Sequence, residues 1–139
     1  MNAVMDMHEW SLAEGVLAAV VEHQQKNKMK KVCEVRIRLG ELQRVERDIF
    51  RYALKEIAKL KGMDIRIRIE TEKAILRCRG CGHRWKLSES EQLDEEKAEM
   101  IHFLPEVAHA YIGCPVCRSP DFEIVAGRGV VIKSIKGVR

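Results

Sequence analysis

The sequence lacks any apolar stretch that approaches the roughly 20 residues needed to cross a bilayer. Its first residues contain neither the basic segment nor the long apolar run of a secretory signal. Internal repeats and low-complexity tracts are also absent. These absences predict a cytoplasmic protein with no membrane partner.

A phosphate-cradling loop of the form Gly-x-x-x-x-Gly-Lys-[Ser/Thr] is missing as well. Any nucleotide-driven step must therefore come from another protein. The net charge of +4 is small, and the basic residues are interleaved with acidic ones. Such a distribution gives little of the concentrated positive field that nucleic-acid binding usually requires, so nucleic acid is not expected as the main partner.

What the sequence does contain is five cysteines in 139 residues, four of them in two Cys-x-x-Cys pairs. In a reducing compartment this spacing favours metal ligation over disulfides. Two such turns supply the four thiolates of a tetrahedral zinc shell, which has no open position for water or substrate. The zinc is thus predicted to be structural and to perform no chemistry. The predicted zinc ligands are Cys78, Cys81, Cys114 and Cys117.

Hydrophobic periodicity predicts a small α+β fold. Helical spacing runs from Leu12 to Val21 and from Ile49 to Leu60, where Gly62 is a natural C-terminal stop. Period-two alternation marks strands at 33–39 and 65–69. The order strand, helix, strand predicts a right-handed parallel βαβ crossover. All the elements together predict a sheet of about three strands with two helices on one face.

Two details of these elements depend on local patterns. The first helix has two alternative start signals, because Asp6 with Glu9 and Ser11 with Glu14 each fit a capping box. His8 would lie in the first turn under one alternative and in an extended arm under the other. Cys33 falls on the apolar side of the first strand pattern, so burial is expected for it.

The two cysteine pairs interrupt the helix and strand rhythm, which predicts an inserted zinc-ribbon-like lobe. We expect a zinc-binding domain at 74–126 and an α/β domain formed by 1–73 plus 127–139. The apolar run after Gly127-Arg128-Gly129 is read as a last strand that returns to the first domain. The two glycines predict a hinge at that crossing.

Four motifs in this order resemble the HypA/HybF family of nickel-insertion accessory proteins for [NiFe]-hydrogenase. They are Met7-His8-Glu9, Leu39-Gly40-Glu41-Leu42, the two cysteine pairs and Gly127-Arg128-Gly129. The resemblance implies a protein that is not an enzyme but a carrier of Ni(II). The nickel is bound at a site built on Met7, His8 and Glu9, with His8 as its principal ligand. The resemblance also implies that His102 joins the nickel shell when a partner is bound.

The resemblance further implies two partners, a HypB-type GTPase and the [NiFe]-hydrogenase large subunit; urease is a second client in some organisms. Family members normally begin at the methionine of Met-His-Glu, where a free amine can bind nickel, whereas six residues precede Met7 here. Either the native start is Met7 or the nickel shell differs, since an amide nitrogen must ionise before it binds.

Two other functions are compatible with the same residues. A rubredoxin-like electron carrier would hold iron in the four-cysteine site, because the same thiolates bind either metal. A zinc-ribbon nucleic-acid binder would use basic side chains beside the knuckles and on the open face of the sheet. These are Arg36, Arg38, Arg66, Arg68, Arg77, Arg79, Arg84 and Lys86.

Overall fold

The computed structural model describes residues 3–43, 45–90 and 94–139, and within them all side chains except those of residues 3–7, 98, 102, 103 and 105. The chain divides into two compact units. The first unit comprises Met1–Arg38, Val45–Glu70 and Val131–Arg139, and the second unit comprises Leu39–Arg44 and Thr71–Val130. The transitions near 70 and 130 lie within four residues of the boundaries expected at 73 and 127. Placement of the 39–44 segment in the second unit was not expected.

The secondary structure alternates helices and strands through both units. In chain order the elements are α1 (Ala3–Lys26), β1 (Lys31–Gly40), α2 (Arg47–Leu60), β2 (Arg66–Glu72), β3 (Ile75–Cys78), β4 (Arg84–Lys86), α3 (Glu95–Phe103), α4 (Ala108–Tyr111), β5 (Phe122–Ala126) and β6 (Val130–Val138). Short 3₁₀ turns lie at Leu87–Glu89 and Pro105–Val107. In the described ranges, no helix is long and apolar enough to span a membrane.

The sheet of the first unit has three strands in the order β2-β1-β6. Arg68 bridges to Glu34 and Arg36 to Glu70, so residue numbers rise together along β1 and β2, and this pair is parallel as predicted. The Lys30 N–H donates to Val138 and the Gly40 N–H to Gly129, which makes β6 antiparallel to β1.

The core of the first unit lies between this sheet and the two helices. Buried strand residues alternate with polar ones, while buried helix residues recur every three or four positions, as each period requires. The predicted α+β arrangement with two helices on one sheet face is confirmed. The buried residues include Ala13, Leu17, Val20, Val35, Ile37, Phe50, Ala53, Leu54, Ile67 and Ile69.

Helix α2 ends as its glycine predicts. Gly62 has φ +70°, and the N–H of Met63 reaches back to the carbonyl of Ala58 at 2.8 Å. Together these form a Schellman motif, which satisfies helix carbonyls that have no partner inside the helix. Arginines of the same helix also donate to carbonyls of β2, an edge strand that would otherwise present unpaired acceptors. The pairs are Arg47 with Ile69 and Arg51 with Ile67.

Two local predictions are wrong. Helix α1 begins at Ala3, before either predicted cap, so His8 and Glu9 lie inside the helix rather than in its first turn or in an arm. Cys33 is exposed, because the strict alternation of β1 breaks: Val32 and Val35 are both buried, three residues apart. A pattern that starts at Val35 therefore cannot be extended back to Cys33.

The second unit is built on a three-stranded antiparallel sheet in the order β4-β3-β5. One apolar cluster fills it, drawn from the sheet, the short helices and the turn after β1. Its members are Leu42, Ala74, Leu76, Cys78, Trp85, Leu87, Ile101, Ala108, Ile112, Cys114 and Phe122. Because Cys78 and Cys114 belong to this cluster, the predicted metal site and the core of this unit are contiguous.

Three chain segments of the second unit meet at close range around Gly127. The Leu42 N–H donates to the carbonyl of Gly127, and the Gly127 N–H donates to the Glu72 carboxylate at 2.7 Å. A Cβ on Gly40 would lie 2.3 Å from the Gly127 oxygen. The Leu-Gly-Glu-Leu turn therefore has glycine where another backbone passes too closely for a side chain.

Candidate metal centres

The four predicted zinc ligands lie on two turns of the second unit. Cys78 and Cys81 flank the hairpin between β3 and β4, and Cys114 and Cys117 follow α4. All four sulfur atoms lie within 4.8 Å of one another. The structure thus brings together residues 33 positions apart in sequence into one candidate metal site.

The two turns have the same backbone hydrogen bonds. In each, the N–H of the first cysteine donates to the carbonyl five residues later, and the N–H four residues later donates back to that cysteine. The residue at that fourth position has positive φ in both turns, +78° at Gly82 and +64° at Arg118. Glycine adopts this conformation freely, whereas the arginine adopts it at a cost of about 1 kcal/mol.

The sulfur positions match a tetrahedral shell. The Cys78 and Cys117 sulfurs are 3.4 Å apart, and those of Cys81 and Cys114 are 3.6 Å apart. Zinc–sulfur bonds of about 2.3 Å put tetrahedral sulfurs about 3.8 Å from one another. Only a small outward movement of the thiols is needed for the ion to bind all four.

Backbone N–H groups favour the thiolate form of one cysteine in each turn. The Cys81 N–H, which points to the Cys78 sulfur at 3.5 Å, helps to lower the pKa of Cys78 to about 7. Desolvation opposes ionisation of Cys114, but the N–H groups of Cys117 and Val116 outweigh it and lower its pKa. The two thiols with a lowered pKa, Cys78 and Cys114, are the buried ones. A bound dication would ionise the remaining two.

Cys117 shows the opposite shift. The Ser119 N–H favours its thiolate, but the neighbouring Cys78 thiol and desolvation outweigh that donor and raise the pKa of Cys117 to about 12. Four adjacent sulfurs repel one another when all are thiolates, so a compensating cation is needed. A site of four sulfur donors suits Zn(II), and the closed shell suits a structural role.

Histidines next to the turns have packing partners rather than metal geometry. The His109 ring lies 4.3 Å from that of Phe122 and its Nδ1 is 2.9 Å from the Pro120 carbonyl, so Nδ1–H is the donor. The His83 ring stacks on Trp85. Among the described residues, the four cysteines are the one group of three or more side chains close enough to share an ion.

The second predicted site is only partly described. His8 is exposed on α1, as a nickel ligand must be before it loads. The side chains of Met7 and His102, the other predicted contributors, lie outside the described residues. Glu9 is described and differs from expectation: it is fully buried, so its carboxylate is turned away from the surface that His8 occupies.

The Glu9 carboxylate lies at the start of the other helix. Its Oε1 accepts the Glu46 N–H at 3.3 Å, and Glu46 is the N-cap of α2, where no local side chain supplies a cap. Helix N-termini carry unpaired N–H groups and a partial positive charge, which a carboxylate stabilises. Its Oε2 has no hydrogen-bond partner in the described part of the chain. Sequence reasoning missed this role because the two residues are 37 positions apart.

Removing this carboxylate should weaken the first unit. We expect Glu9→Ala to lower the free energy of unfolding by about 2 kcal/mol, because it leaves the Glu46 N–H unpaired and opens a cavity. Glu9→Gln keeps an acceptor and should lose less than half as much. The exposed Glu14 on the same helix is the matched control, and urea unfolding of the zinc-loaded protein is the measurement. Equal losses in Glu9→Ala and Glu14→Ala would contradict the capping role.

The arginines named for nucleic-acid binding are largely engaged with acids. Arg77 pairs with Glu123, and Arg79 pairs with Asp121 and Glu123. On the first unit's sheet, Arg36 pairs with Glu70 and Arg68 with Glu34. These pairs favour an ion-paired surface over a phosphate-binding track in the second unit.

Comparison with known proteins decides the family. The model of a family described as "Hydrogenase/urease nickel incorporation, metallochaperone, hypA" matches residues 7–137. The chain belongs to the HypA family. The match begins at Met7, and HypA proteins are metallochaperones rather than enzymes.

Curated HypA relatives span nearly the whole chain. The hydrogenase maturation factor HypA of Pyrococcus horikoshii is 48% identical over 134 residues, which cover 94% of this chain and 95% of the relative. That of Methanopyrus kandleri is 30% identical, with coverage of 94% and 92%. The resemblance to the HypA/HybF family is confirmed, and the relatives of 42–48% identity come from archaeal Thermococcales.

Solved HypA structures share the fold. A solution structure of a HypA protein is 25% identical, with a TM-score of 0.63 and coverage of 95% of this chain and 97% of the other. The solution structure of the nickel metallochaperone HypA from Helicobacter pylori is 21% identical, with a TM-score of 0.57 and coverage of 94% and 97%. The second likeness bears on the HypA fold alone.

Proposed function

We propose that this chain carries Ni(II) at a site built on Met7, His8 and Glu9 and delivers it to the large subunit of [NiFe]-hydrogenase. The observation that carries the proposal is family membership over residues 7–137 together with an exposed histidine at the second matched position. Zinc in the four-cysteine site holds the second unit in shape. The setting proposed for this work is the cytoplasm.

Neutral imidazole suits divalent nickel, and a square-planar shell needs further nitrogen donors. Backbone nitrogens can serve only when they are free of helical hydrogen bonds. In an α-helix each N–H beyond the first four residues donates to the carbonyl four residues earlier. Because α1 begins at Ala3, the amides of His8 and Glu9 lie beyond those four free positions. Nickel uptake through them therefore requires that the start of α1 unwinds.

The buried Glu9 side chain anchors one end of the proposed nickel site. Its carboxylate is held at the N-terminus of α2, so the backbone at Glu9 is anchored while His8 next to it faces solvent. We therefore propose that Glu9 contributes its main-chain nitrogen and its anchoring, rather than its carboxylate, to the nickel shell. If the carboxylate stays in place while the start of α1 unwinds, it restricts the freed backbone at Glu9 and so reduces the entropy lost on metal binding.

The test is a nickel titration of zinc-loaded protein with metal content measured alongside. We expect His8→Ala to weaken nickel binding at least about 100-fold, because losing a ligand costs more than the 10- to 100-fold typical of an outer-shell partner. One zinc should be retained. His23→Ala is the matched control, since His23 is an exposed histidine of the same helix. Equal weakening by both substitutions would overturn the assignment of nickel to His8.

A version beginning at Met7 tests the helical constraint. It would present a free amine and free amides at the first residues, so tighter nickel binding than in the chain as written is expected. Unchanged affinity in the shortened version would contradict a role for backbone nitrogens.

The partner proposals need separate tests. A HypB-type GTPase is proposed as the source of nucleotide-driven exchange, with His102 joining the nickel shell in that complex. His102→Ala should leave nickel affinity of the free protein intact and lower it in the presence of the GTPase. No change in either condition would remove His102 from the proposed shell.

A further inference from the structure

The sheet of the first unit has one face without helices. Alternation places Val35 and Ile37 toward the helices, so Glu34, Arg36 and Arg38 face the other way. In β2, Ile67 and Ile69 are buried against the helices, so the alternate residues face the other way. These are Arg66, Arg68, Glu70 and Glu72. The open face is defined here as Glu34, Arg36, Arg38, Arg66, Arg68, Glu70, Glu72, Lys133 and Lys136.

A contact with Glu34 assigns Lys136 to this face, and a one-residue shift in the pairing of β1 with β6 between Lys30–Val138 and Gly40–Gly129 allows Lys133 to lie on the same side. The Lys136 ammonium is 3.6 Å from the Glu34 carboxylate, which also forms an ion pair with Arg68 at 2.9 Å. The Arg36 guanidinium, and to a lesser degree the charges of Lys133 and Arg38, lower the pKa of Glu70. Both carboxylates are therefore surrounded by cations from neighbouring strands.

The open face carries a surplus of positive charge. Its six cations face three carboxylates, a surplus of three positive charges. The first unit as a whole has sixteen Lys and Arg against ten Asp and Glu, whereas the second unit has nine against eleven. The positive charge of the molecule is thus concentrated in the first unit, and much of it on one face of its sheet.

We propose that the open face is a docking surface for a protein partner that presents a cluster of carboxylates. Strands about 4.8 Å apart, with outward side chains about 6.8 Å apart along each strand, form a grid of cations that a row of carboxylates on a helix or strand can match. Arginine is favoured at protein interfaces because its planar guanidinium binds carboxylates in a bidentate manner. Several of these side chains are accessible: that of Arg68 is 59% exposed and that of Lys136 is 66% exposed.

The composition of the face favours a protein over nucleic acid. Glu34 and Glu70 lie among the cations and would repel a continuous phosphate backbone, whereas a mixed pattern of charges selects a complementary protein surface. Strands β1, β2 and β6 contain no aromatic residue on which a base could stack. This inference is independent of nickel binding at His8, so either proposal can fail alone.

The test uses the full zinc-loaded chain and a fluorescein-labelled deca-glutamate peptide as the acidic probe. The triple variant Arg38→Gln, Arg66→Gln, Lys133→Gln removes three cations while leaving the pairs of Arg36, Arg68 and Lys136 intact. We expect it to raise the peptide Kd about tenfold or more, as loss of a steering and contact patch does. Amide chemical shifts induced by the peptide should concentrate in β1, β2 and β6.

The matched control removes the same charge elsewhere. Lys55→Gln, Lys59→Gln, Lys61→Gln neutralises three exposed lysines at α2 of the same unit and should change the Kd less than about twofold. Equal loss in both triple variants would overturn the proposal, because net charge alone would then explain binding. The proposal would also be overturned if a ten-nucleotide oligo(dT) bound more tightly than the peptide and lost affinity in the face variant, because the surface would then be a nucleic-acid site. A third contrary outcome is a protein that self-associates but does not bind the peptide, with the self-association abolished only in the face variant. The face would then bind a second copy of this chain.

Discussion

Replacing Cys78 by serine will release the zinc ion and unfold the second unit. Structural zinc in four-cysteine sites contributes about 10–16 kcal/mol of apparent binding free energy, and much of it is folding free energy. Cys78 is both a ligand and a member of the apolar cluster of eleven residues that fills this unit. A core of this size cannot hold a lobe together without a metal or another staple.

The readouts are zinc content after dialysis against a chelator and the amide spectrum of residues 71–130. Cys33→Ser is the matched control, because Cys33 is exposed and is no ligand. It should retain one zinc and a native spectrum. A Cys78→Ser protein that keeps its zinc and its dispersed amide signals would show that three thiolates suffice and that the ion is less important than its geometry suggests.

The second large effect is expected at Gly127. Its φ of +93° disfavours any side chain, and an added Cβ would lie 2.4 Å from the Cα of Ala74, a backbone atom that cannot turn aside. Backbone strain and overpacking together should lower the free energy of unfolding by about 3–5 kcal/mol in Gly127→Ala. Urea unfolding of the zinc-loaded protein measures it.

Gly129 separates the two causes. Its φ is also positive, at +75°, but nothing lies within 4 Å of the place where a Cβ would be. Gly129→Ala should therefore cost only the conformational penalty, about 1 kcal/mol. If both substitutions cost the same, close packing around Gly127 is not what stabilises this region, and the meeting of the three segments there is looser than the distances indicate.

Sequence patterns predicted the elements that depend on local periodicity. The helix ending at Gly62 is an example, because the apolar stripe and the glycine stop both lie within a few residues of the feature they specify. The four zinc ligands were predictable for a related reason: the paired spacing is itself the chemistry of a knuckle. The predicted nickel shell stays a prediction, since Met7 and His102 have no described side chains.

What periodicity could not predict depends on contacts between distant segments. Capping of α2 by Glu9 requires knowing that α1 passes the start of that helix. Similarly, the 39–44 segment belongs to the second unit because Leu42 packs in its core and bonds to Gly127. Local signals also misled in two places. Helix α1 continues past both predicted caps to Ala3, and the alternation of β1 is broken before it reaches Cys33, which is exposed.

The order of the segments along the chain has a consequence for synthesis on the ribosome. The second unit is complete once Val130 has emerged, whereas the first unit still waits for Val131–Arg139, which contribute nearly all of β6. Domains generally fold as units as they appear. We therefore expect the nascent chain to capture zinc and close its inserted lobe first, so that metal supply during translation governs how much protein reaches the state in which β6 joins its sheet.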